Sequence, residues 1–526
     1  MNDRMRDGRR EGRGLRMSGP GPCLQHATAS SGIHDALPTG HGAIRALIAG
    51  LVLTTALAAL PVCATAQMVS SPQSYGKAPA PSPAAPGHTQ RPTTGDVPAK
   101  TPPTTGGQQT PPSPETTPEA APETDTTDDG ADTDAAESPK DRCDSLASDP
   151  LDDDRRRDVD VVEWDDLDPG GAIAACSEAL AAEPNILRLK YQLARAYEKN
   201  TDYAQSVKLY RELSDRGYAA GIAGLAYAYE NGEGLEKDEA QAFAWYTKGA
   251  QRNNAWSMFN LAKFYDEGRQ VPEDDQTALA WYVRAAELGN ARAMTDAGFL
   301  LETTTTDLHD LVKAREWYTK GAEAGNDVGM ANLANFLMNG TGGPKDLEGA
   351  FKWYKAASDL GNMDATNGLG YLYYEGLGVE KDVAEGMRLY QIAADGGSGT
   401  AYTNLGYASE TGVGAPQDYA KAYELYVKGA DLGDSLSMNN LANLADQGLG
   451  TAKDAAKAAE WMEKALRAGG IYARDQMRDN AAEWSVDFRK ALQARLKEQQ
   501  IYTGATDGDF GAGTQDAIDK IFNVPL

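Results

Sequence analysis

A step of 36 residues recurs along most of the chain and constrains its fold more than any other feature. Three series keep this step. A large apolar residue before an aromatic residue or Met recurs at Leu209-Tyr210, Trp245-Tyr246, Trp281-Tyr282, Trp317-Tyr318, Trp353-Tyr354, Leu389-Tyr390, Leu425-Tyr426 and Trp461-Met462. An aspartate recurs at Asp202, Asp238, Asp274, Asp310, Asp346, Asp382, Asp418 and Asp454. A glycine recurs at Gly217, Gly289, Gly325, Gly361, Gly397, Gly433 and Gly469, with Asn253 as the exception. Three series in phase indicate an array of stacked repeats, because one unit cannot bury its own apolar face.

Each repeat is predicted to be two helices joined by a glycine-rich loop and followed by a turn. The aspartate stands before an Ala-rich helix, where its carboxylate can cap free N–H groups and meet the positive end of the helix dipole. The glycine follows that helix, where a left-handed residue is favoured. Alanines three residues before the large residue share its helix face. We expect the Trp, Tyr and Ala positions to form the core.

The stretch LGYLYYEGLGVEKDVAEGMRLYQIAADGGSG, residues 369–399, resembles the Sel1-like repeats, which are relatives of the tetratricopeptide repeats. The resemblance covers residues 219–473 as seven units. An entry segment and a tetratricopeptide-like helix pair precede them within 143–218. The predicted fold is all-α, an α/α solenoid. The unit containing TTTTDLHD, residues 303–310, lacks the loop glycines, so we expect an irregular loop there.

The family resemblance implies a scaffold that binds a protein partner on its repeat surface, with a concave face lined by the first helix of each unit. Exported relatives look like adaptors and regulators of the bacterial envelope. No cofactor is implied.

The N-terminal region resembles a secretory leader followed by a linker. An uncharged apolar run at 46–62 follows Arg45 and precedes small residues, which predicts cleavage after Ala66 and a periplasmic protein. The alternative is an uncleaved membrane anchor, the one case in which a membrane association is expected. We exclude residues 1–66 from the fold as a leader. Residues 67–142, rich in Pro, Thr and acidic residues, are expected to be a disordered linker.

Two cysteines, Cys143 and Cys176, follow the predicted cleavage site. An even pair in an exported protein favours a disulfide, which would pin the entry segment 143–168 onto the first helices. Two unrelated thiols are the alternative, because sequence does not fix their separation.

Residues 474–526 leave the 36-residue register and are expected to be a connecting helix and a small helical module. The stretch ALQARLKEQQIYTGATDGDFGAGTQDAIDKIF resembles the peptidoglycan-binding domains at the ends of many envelope proteins. Gln500 stands where a Gly is usual. The resemblance implies a peptidoglycan site at Tyr502, Thr503, Asp507, Asp509 and Thr514, with Tyr502 as an exposed aromatic and Thr514 as a helix cap. Phe510 and Phe522 are expected to fill a small core. The alternative is that this module only caps the last repeat.

Composition narrows the function further. A formal net charge of −27 argues against nucleic-acid binding. Of five histidines only His309 follows residue 88, which removes most zinc sites and His-dependent catalysis. No nucleophile elbow, metal-ligand cluster or phosphate loop is present, so we expect no catalytic residues and no metal. A scaffold associated with the cell wall is the leading prediction. A soluble periplasmic regulator without wall binding is the alternative, and an enzyme acting on envelope polymers is a remote third.

Overall fold

The computed structural model describes residues 137–150, 152 and 154–523. Over these residues the chain forms 21 α-helices, one short 3₁₀ helix and no strand, which confirms the predicted all-α fold. The signal segment and nearly all of the predicted linker lie outside the described residues. None of the described helices is long and apolar enough to cross a membrane. The described chain divides into two compact units, residues 137–249 and 250–523.

The first unit contains α1 to α6, and each helix from α1 to α4 packs against the next. Their bounds are Pro139–Ala147, Pro169–Ala182, Leu187–Lys199, Tyr203–Asp215, Ala219–Asn231 and Glu239–Ala250. Helix α1 begins inside the predicted linker, because Ser138 caps it and Pro139 occupies its first turn. The linker prediction is therefore wrong for its last four residues.

A disulfide joins Cys143 of α1 to Cys176 of α2, with the two Cα atoms 4.7 Å apart. Both cysteines are fully buried in an apolar cluster with Leu167 and Leu189. The predicted bridge is confirmed, and it ties the entry segment to the second helix of this unit.

The second unit continues the repeats with α7 to α18 and ends in three further α-helices. The repeat helices are Ala255–Asp266, Asp275–Glu287, Ala291–Thr303, Leu311–Glu323, Asp327–Asn339, Leu347–Asp359, Met363–Glu375, Val383–Asp395, Gly399–Thr411, Tyr419–Asp431, Ser435–Gln447 and Ala455–Arg467. Helices α19 to α21 are Ile471–Asp479, Val486–Glu498 and Ala512–Phe522. Odd-numbered helices from α5 to α17 are the first helices of their repeats, and even-numbered helices are the second. Each second helix packs against its own first helix, and within residues 250–523 also against the first helix of the next repeat.

Tyrosines of the second helices form the centre of the repeat core. Tyr246, Tyr282, Tyr318, Tyr354, Tyr390 and Tyr426 are at most 2% exposed, and Ala242, Ala278, Ala314, Ala350, Ala422 and Ala458 are fully buried. The tryptophans differ from the prediction, since Trp245, Trp281, Trp317, Trp353 and Trp461 are only half-buried. A cation lies over each ring; for example, Lys248 is 3.6 Å from the Trp245 centroid and Arg284 is 4.5 Å from that of Trp281. The tryptophans therefore border the core, and the smaller Leu389 and Leu425 at the same position are buried.

Candidate functional site

The eight aspartates of the 36-residue series stand at the beginnings of the second helices. A side-chain oxygen of each accepts a hydrogen bond from a backbone N–H of the first turn, at Asp202, Asp238, Asp274, Asp310, Asp346, Asp382, Asp418 and Asp454. These N–H donors hold the pKa values of Asp274 and Asp310 below the ordinary value. The aspartates are thus engaged in fixing the direction of each second helix.

In the seven repeats from α5 to α18, the loop before each aspartate is closed by the same backbone bond, whereas the Asp202 N–H donates to the Tyr197 carbonyl five residues earlier. The aspartate N–H donates to the carbonyl nine residues earlier, as from Asp346 to Leu337 at 2.8 Å. The unit at 303–310 keeps this bond between Asp310 and Leu301 at 3.0 Å but has no left-handed glycine. Threonine hydroxyls replace the glycine turn there, with Thr304 and Thr306 joined at 2.8 Å. This loop is therefore irregular in its turns but not in its length.

The left-handed turns after the second helices agree with the glycine series. Gly217, Gly289, Gly325, Gly361, Gly397, Gly433 and Gly469 have φ between 73° and 95°. Asn253, the exception in the series, adopts φ 59°. Asparagine is one of the few other residues that tolerate this conformation.

Carboxylates at the ends of four first helices accept hydrogen bonds from the buried tyrosines. Tyr246 donates to Glu230 at 2.8 Å, Tyr282 to Asp266 at 2.9 Å, Tyr318 to Glu302 at 2.6 Å and Tyr426 to Glu410 at 2.7 Å. Burial raises the pKa values of Glu302 and Glu410. Each of these carboxylates is paired with a core tyrosine.

Buried asparagines on the first helices are the feature that sequence reasoning missed. Asn332 and Asn404 precede a leucine at the same register, and both are at most 4% exposed. The Nδ2 atom of Asn332 and the Oδ1 atoms of Asn404 and Asn439 have no hydrogen-bond partner among the described residues. A buried amide atom without a partner costs roughly 1–3 kcal/mol, so these three atoms are a local cost within the repeat core. The recurring Asn-Leu pair, also present at Asn260 and Asn440, was the available signal.

In the first unit, the helices bind a stretch of the protein's own chain, the entry segment, through side-chain hydrogen bonds. Tyr191 of α3 donates to Asp149, and the Tyr218 hydroxyl lies 2.8 and 2.9 Å from the two carboxylate oxygens of Asp152. The buried Arg195 donates to the carbonyl of Val162 at 2.7 Å. Burial raises the pKa of Asp152 to about 7. Tyrosine hydroxyls and a guanidinium thus hold the carboxylates and backbone of an acidic stretch.

A second contact of the entry segment fixes its first helix. Asp144 of α1 has an almost fully buried side chain and forms a two-bond pair with Arg188 of α3, both bonds being 2.8 Å. Gln192 of α3 donates to the same carboxylate at 3.0 Å. A bidentate guanidinium–carboxylate pair fixes orientation as well as distance.

The C-terminal helices α20 and α21 are organised by the fully buried Gln493. Its Nε2 atom donates to the Asp509 carbonyl at 2.8 Å and to the Thr514 hydroxyl at 3.1 Å. Its Oε1 atom accepts from the Gly508 N–H at 2.7 Å. Gln500 has φ 61°, the conformation that its glycine-like position in the motif requires.

The five residues predicted to bind peptidoglycan separate into two groups. Thr503, Asp507 and Asp509 are exposed, and the Asp509 N–H lowers the pKa of the Asp507 carboxyl. Tyr502 is only 9% exposed and donates to the Ala505 carbonyl at 2.8 Å, so its predicted exposure is wrong. Thr514 is 1% exposed.

Two further details of this module differ from the prediction. Helix α21 begins after Gly511, which provides no side-chain cap, so Thr514 lies within the first turn rather than at the cap. Phe522 is half-buried with Arg474 4.6 Å from its centroid. Phe488, Leu492 and Ile518 form the centre of the core instead.

The C-terminal module and the last repeat share one apolar core. Met462 and Leu466 of α18 belong to the same buried cluster as Phe488 and Leu492 of α20. The buried carboxylate of Glu463 accepts from Arg495 at 2.8 Å and from Gln499 at 2.7 Å. The module therefore covers the apolar end of the array, which an uncapped repeat would expose to water.

No group of three or more His, Cys, Asp or Glu residues in the described part of the chain is arranged to hold a metal ion. His309, the one histidine within the repeat segment 219–473, is exposed in the irregular loop.

The Sel1 repeat family model matches seven segments, which confirms the predicted repeats. They are residues 219–254, 257–290, 307–326, 328–362, 364–398, 399–434 and 435–470. No family match supports the peptidoglycan-binding resemblance of the C-terminal module. No curated protein matches the chain.

The chain is similar to several solved structures, including the following two. One is a protective antigen of uropathogenic Escherichia coli that displays an SLR fold, with 27% identity, 67% of this chain and 79% of that chain covered, and a TM-score of 0.46. The other is a Sel1 repeat protein from Oxalobacter formigenes, with 27% identity, 45% and 98% covered, and a TM-score of 0.42. Sel1-repeat proteins generally act as scaffolds for protein–protein interaction, and their solenoid is typically non-catalytic.

Proposed function

We propose that this chain is an exported scaffold that binds a protein partner on the first helices of its repeats. The observation that carries the proposal is the entry segment, an acidic stretch whose carboxylates and one carbonyl are held by Tyr191 and Arg195 of α3 and by Tyr218, the residue before α5.

Export to the periplasm is the second part of the proposal. Its support is the predicted cleavage site after Ala66, together with the Cys143–Cys176 disulfide. Disulfides persist in oxidising compartments and are rare in the cytosol. Fractionation of cells, with alkylation of the protein before reduction, tests this part. Cytosolic protein in which Cys143 and Cys176 are both alkylated would refute it.

In-cell photo-cross-linking tests the scaffold function. A photoreactive residue would replace Phe299 or Tyr407, which are half-buried on first helices, or the exposed Asp516 of α21 as the control. We expect discrete protein adducts at the first two positions and none at the control. Adducts at all three positions, or at none, would overturn the proposed binding surface.

Association with the cell wall is a second candidate function, favoured by the exposure of Thr503, Asp507 and Asp509 on one loop. Removing the module would uncover Met462 and Leu466, so point substitutions make the sharper test.

Purified protein spanning residues 67–526 would be sedimented with cell-wall sacculi. The variant Thr503→Ala/Asp509→Ala would be compared with the exposed control Asp516→Ala on α21. Wall association predicts pelleting that the first variant loses and the control keeps. Equal behaviour of all three proteins would leave the module as an end cap and favour a periplasmic regulator without wall binding.

A further inference from the structure

Exposed leucines recur at the ends of the second helices in the unit 250–523. Leu288, Leu360 and Leu432 are the C-cap residues of α8, α12 and α16, in alternate repeats. They are 48%, 60% and 52% exposed. Single exposed leucines are ordinary on protein surfaces, but the same position repeated at a step of 72 residues is a pattern.

In the repeat between Leu360 and Leu432, the C-cap residue has no side chain, and an isoleucine one turn earlier is exposed in its place. Its C-cap residue is Gly396, but Ile392, one turn earlier on α14, is 39% exposed. Residues four apart lie on the same face of a helix. Three consecutive repeats therefore present an apolar side chain at this end of the second helix. We refer to Leu288, Leu360, Ile392 and Leu432 as the C-cap row.

Acidic residues accompany the C-cap row in the same register. The last residue of each second helix from α8 to α16 is acidic and exposed, at Glu287, Glu323, Asp359, Asp395 and Asp431. The series ends at α18, whose last residue is Arg467. Helix C-termini carry roughly half a negative charge each, which adds to the carboxylates.

The nearest cations of the same helices do not neutralise this edge fully. Arg284 and Lys320 lie 4.5 and 3.8 Å from the centroids of Trp281 and Trp317, and Lys428 lies 5.5 Å from that of Tyr402. One carboxylate, Asp359, is paired with Lys355 at 2.7 Å. The five carboxylates exceed these four cations by one, and the helix C-termini add partial negative charge, so the edge combines apolar side chains with an excess of negative charge.

We infer that the C-cap row docks a cationic amphipathic segment of a protein partner, with its apolar side chains on Leu288, Leu360, Ile392 and Leu432 and its Lys or Arg side chains on the flanking carboxylates. Charge selects this occupant. A second copy of a chain with a formal net charge of −27 is repelled, as are nucleic acid and anionic lipid. The inference rests on the proposed scaffold function and names the chemistry of a partner.

The test measures binding of a fluorescent amphipathic helical peptide of Leu and Lys to the full exported chain by anisotropy over a salt series. The row variant is Leu288→Ala/Leu360→Ala/Leu432→Ala. Its matched control, Val312→Ala/Val413→Ala/Val486→Ala, removes three exposed apolar side chains of the same unit that lie off the row.

We expect the row variant to weaken binding at least tenfold and the control to leave it unchanged. The charge variant Glu287→Gln/Glu323→Gln should flatten the salt dependence, because fewer ion contacts form. Equal weakening by the row and control variants would overturn the inference, as would equal binding by all proteins. If the peptide test fails but Phe299 and Tyr407 still give cross-links to a protein, the scaffold function stands and only the C-cap row is excluded as a docking surface.

Discussion

Reduction of the Cys143–Cys176 disulfide is expected to destabilise the N-terminal helices far more than the rest of the chain. The two cysteines are 33 residues apart, and chain entropy for a closed loop of this length corresponds to about 4 kcal/mol. The remaining contacts of α1, among them the Asp144–Arg188 pair, persist in the reduced protein but do not close the loop in the unfolded chain. A loss of about 4 kcal/mol lowers the protection of amides from hydrogen exchange roughly a thousandfold.

Hydrogen exchange followed by mass spectrometry resolves this effect by segment, which a single melting curve for two units cannot do. Peptides from α1 and α2 of the native protein would be compared before and after reduction. The same peptides of Cys143→Ala/Cys176→Ala should exchange fast in both conditions, and peptides from α20 should not respond. Unchanged protection of α1 and α2 after complete reduction would refute the reasoning, because it would mean that packing alone holds the entry segment.

Three further outcomes follow from single features of the structure. Burial raises the pKa of Asp152 to about 7, so the folded state binds its proton more tightly than the unfolded state. Stability of the first unit should therefore fall as pH rises from about 4 to about 7. Asp152→Asn should flatten that part of a denaturation–pH profile, and an unchanged slope would contradict the assignment. Gly361→Ala should lower the free energy of unfolding by about 1 kcal/mol, because an alanine is strained at a φ of 89°. No clash adds to this loss, since open space surrounds a Cβ at this position. Gly342→Ala should cost more in thermal unfolding, because its Cβ would lie 2.1 Å from the Leu311 carbonyl oxygen; equal losses would exclude the clash. Deleting one whole 36-residue repeat should preserve helicity by circular dichroism far better than deleting 18 residues, and equal damage would argue against the register.

Much of the fold was predictable because its signals are local. An aspartate caps the helix that follows it and a glycine ends the helix before it, so both can be read from neighbouring residues. The equal steps then predicted the number and order of the repeats. Even the irregular loop before Asp310 could be predicted, since missing glycines deprive a turn of its usual conformation. The Cys143–Cys176 bridge was favoured by composition, but the two Cα atoms had to be brought within 4.7 Å by the packing of α1 on α2.

The candidate surfaces were decided by tertiary structure. Sequence placed Trp and Tyr side by side in the core, yet the tyrosine is buried and the tryptophan only half-buried, because the position before the tyrosine borders the core and buries a leucine but not the larger indole. Tyr502 and Thr514 carry a motif but turn inward to Gln493. The exposure of Leu288, Leu360 and Leu432 depends on where the next repeat stacks, and the unpartnered amides of Asn332 and Asn404 depend on what packs over them. The sequence by itself determined which residues begin and end each helix. Which side chains remain available to a partner depends on contacts between repeats, and those contacts join residues distant in sequence.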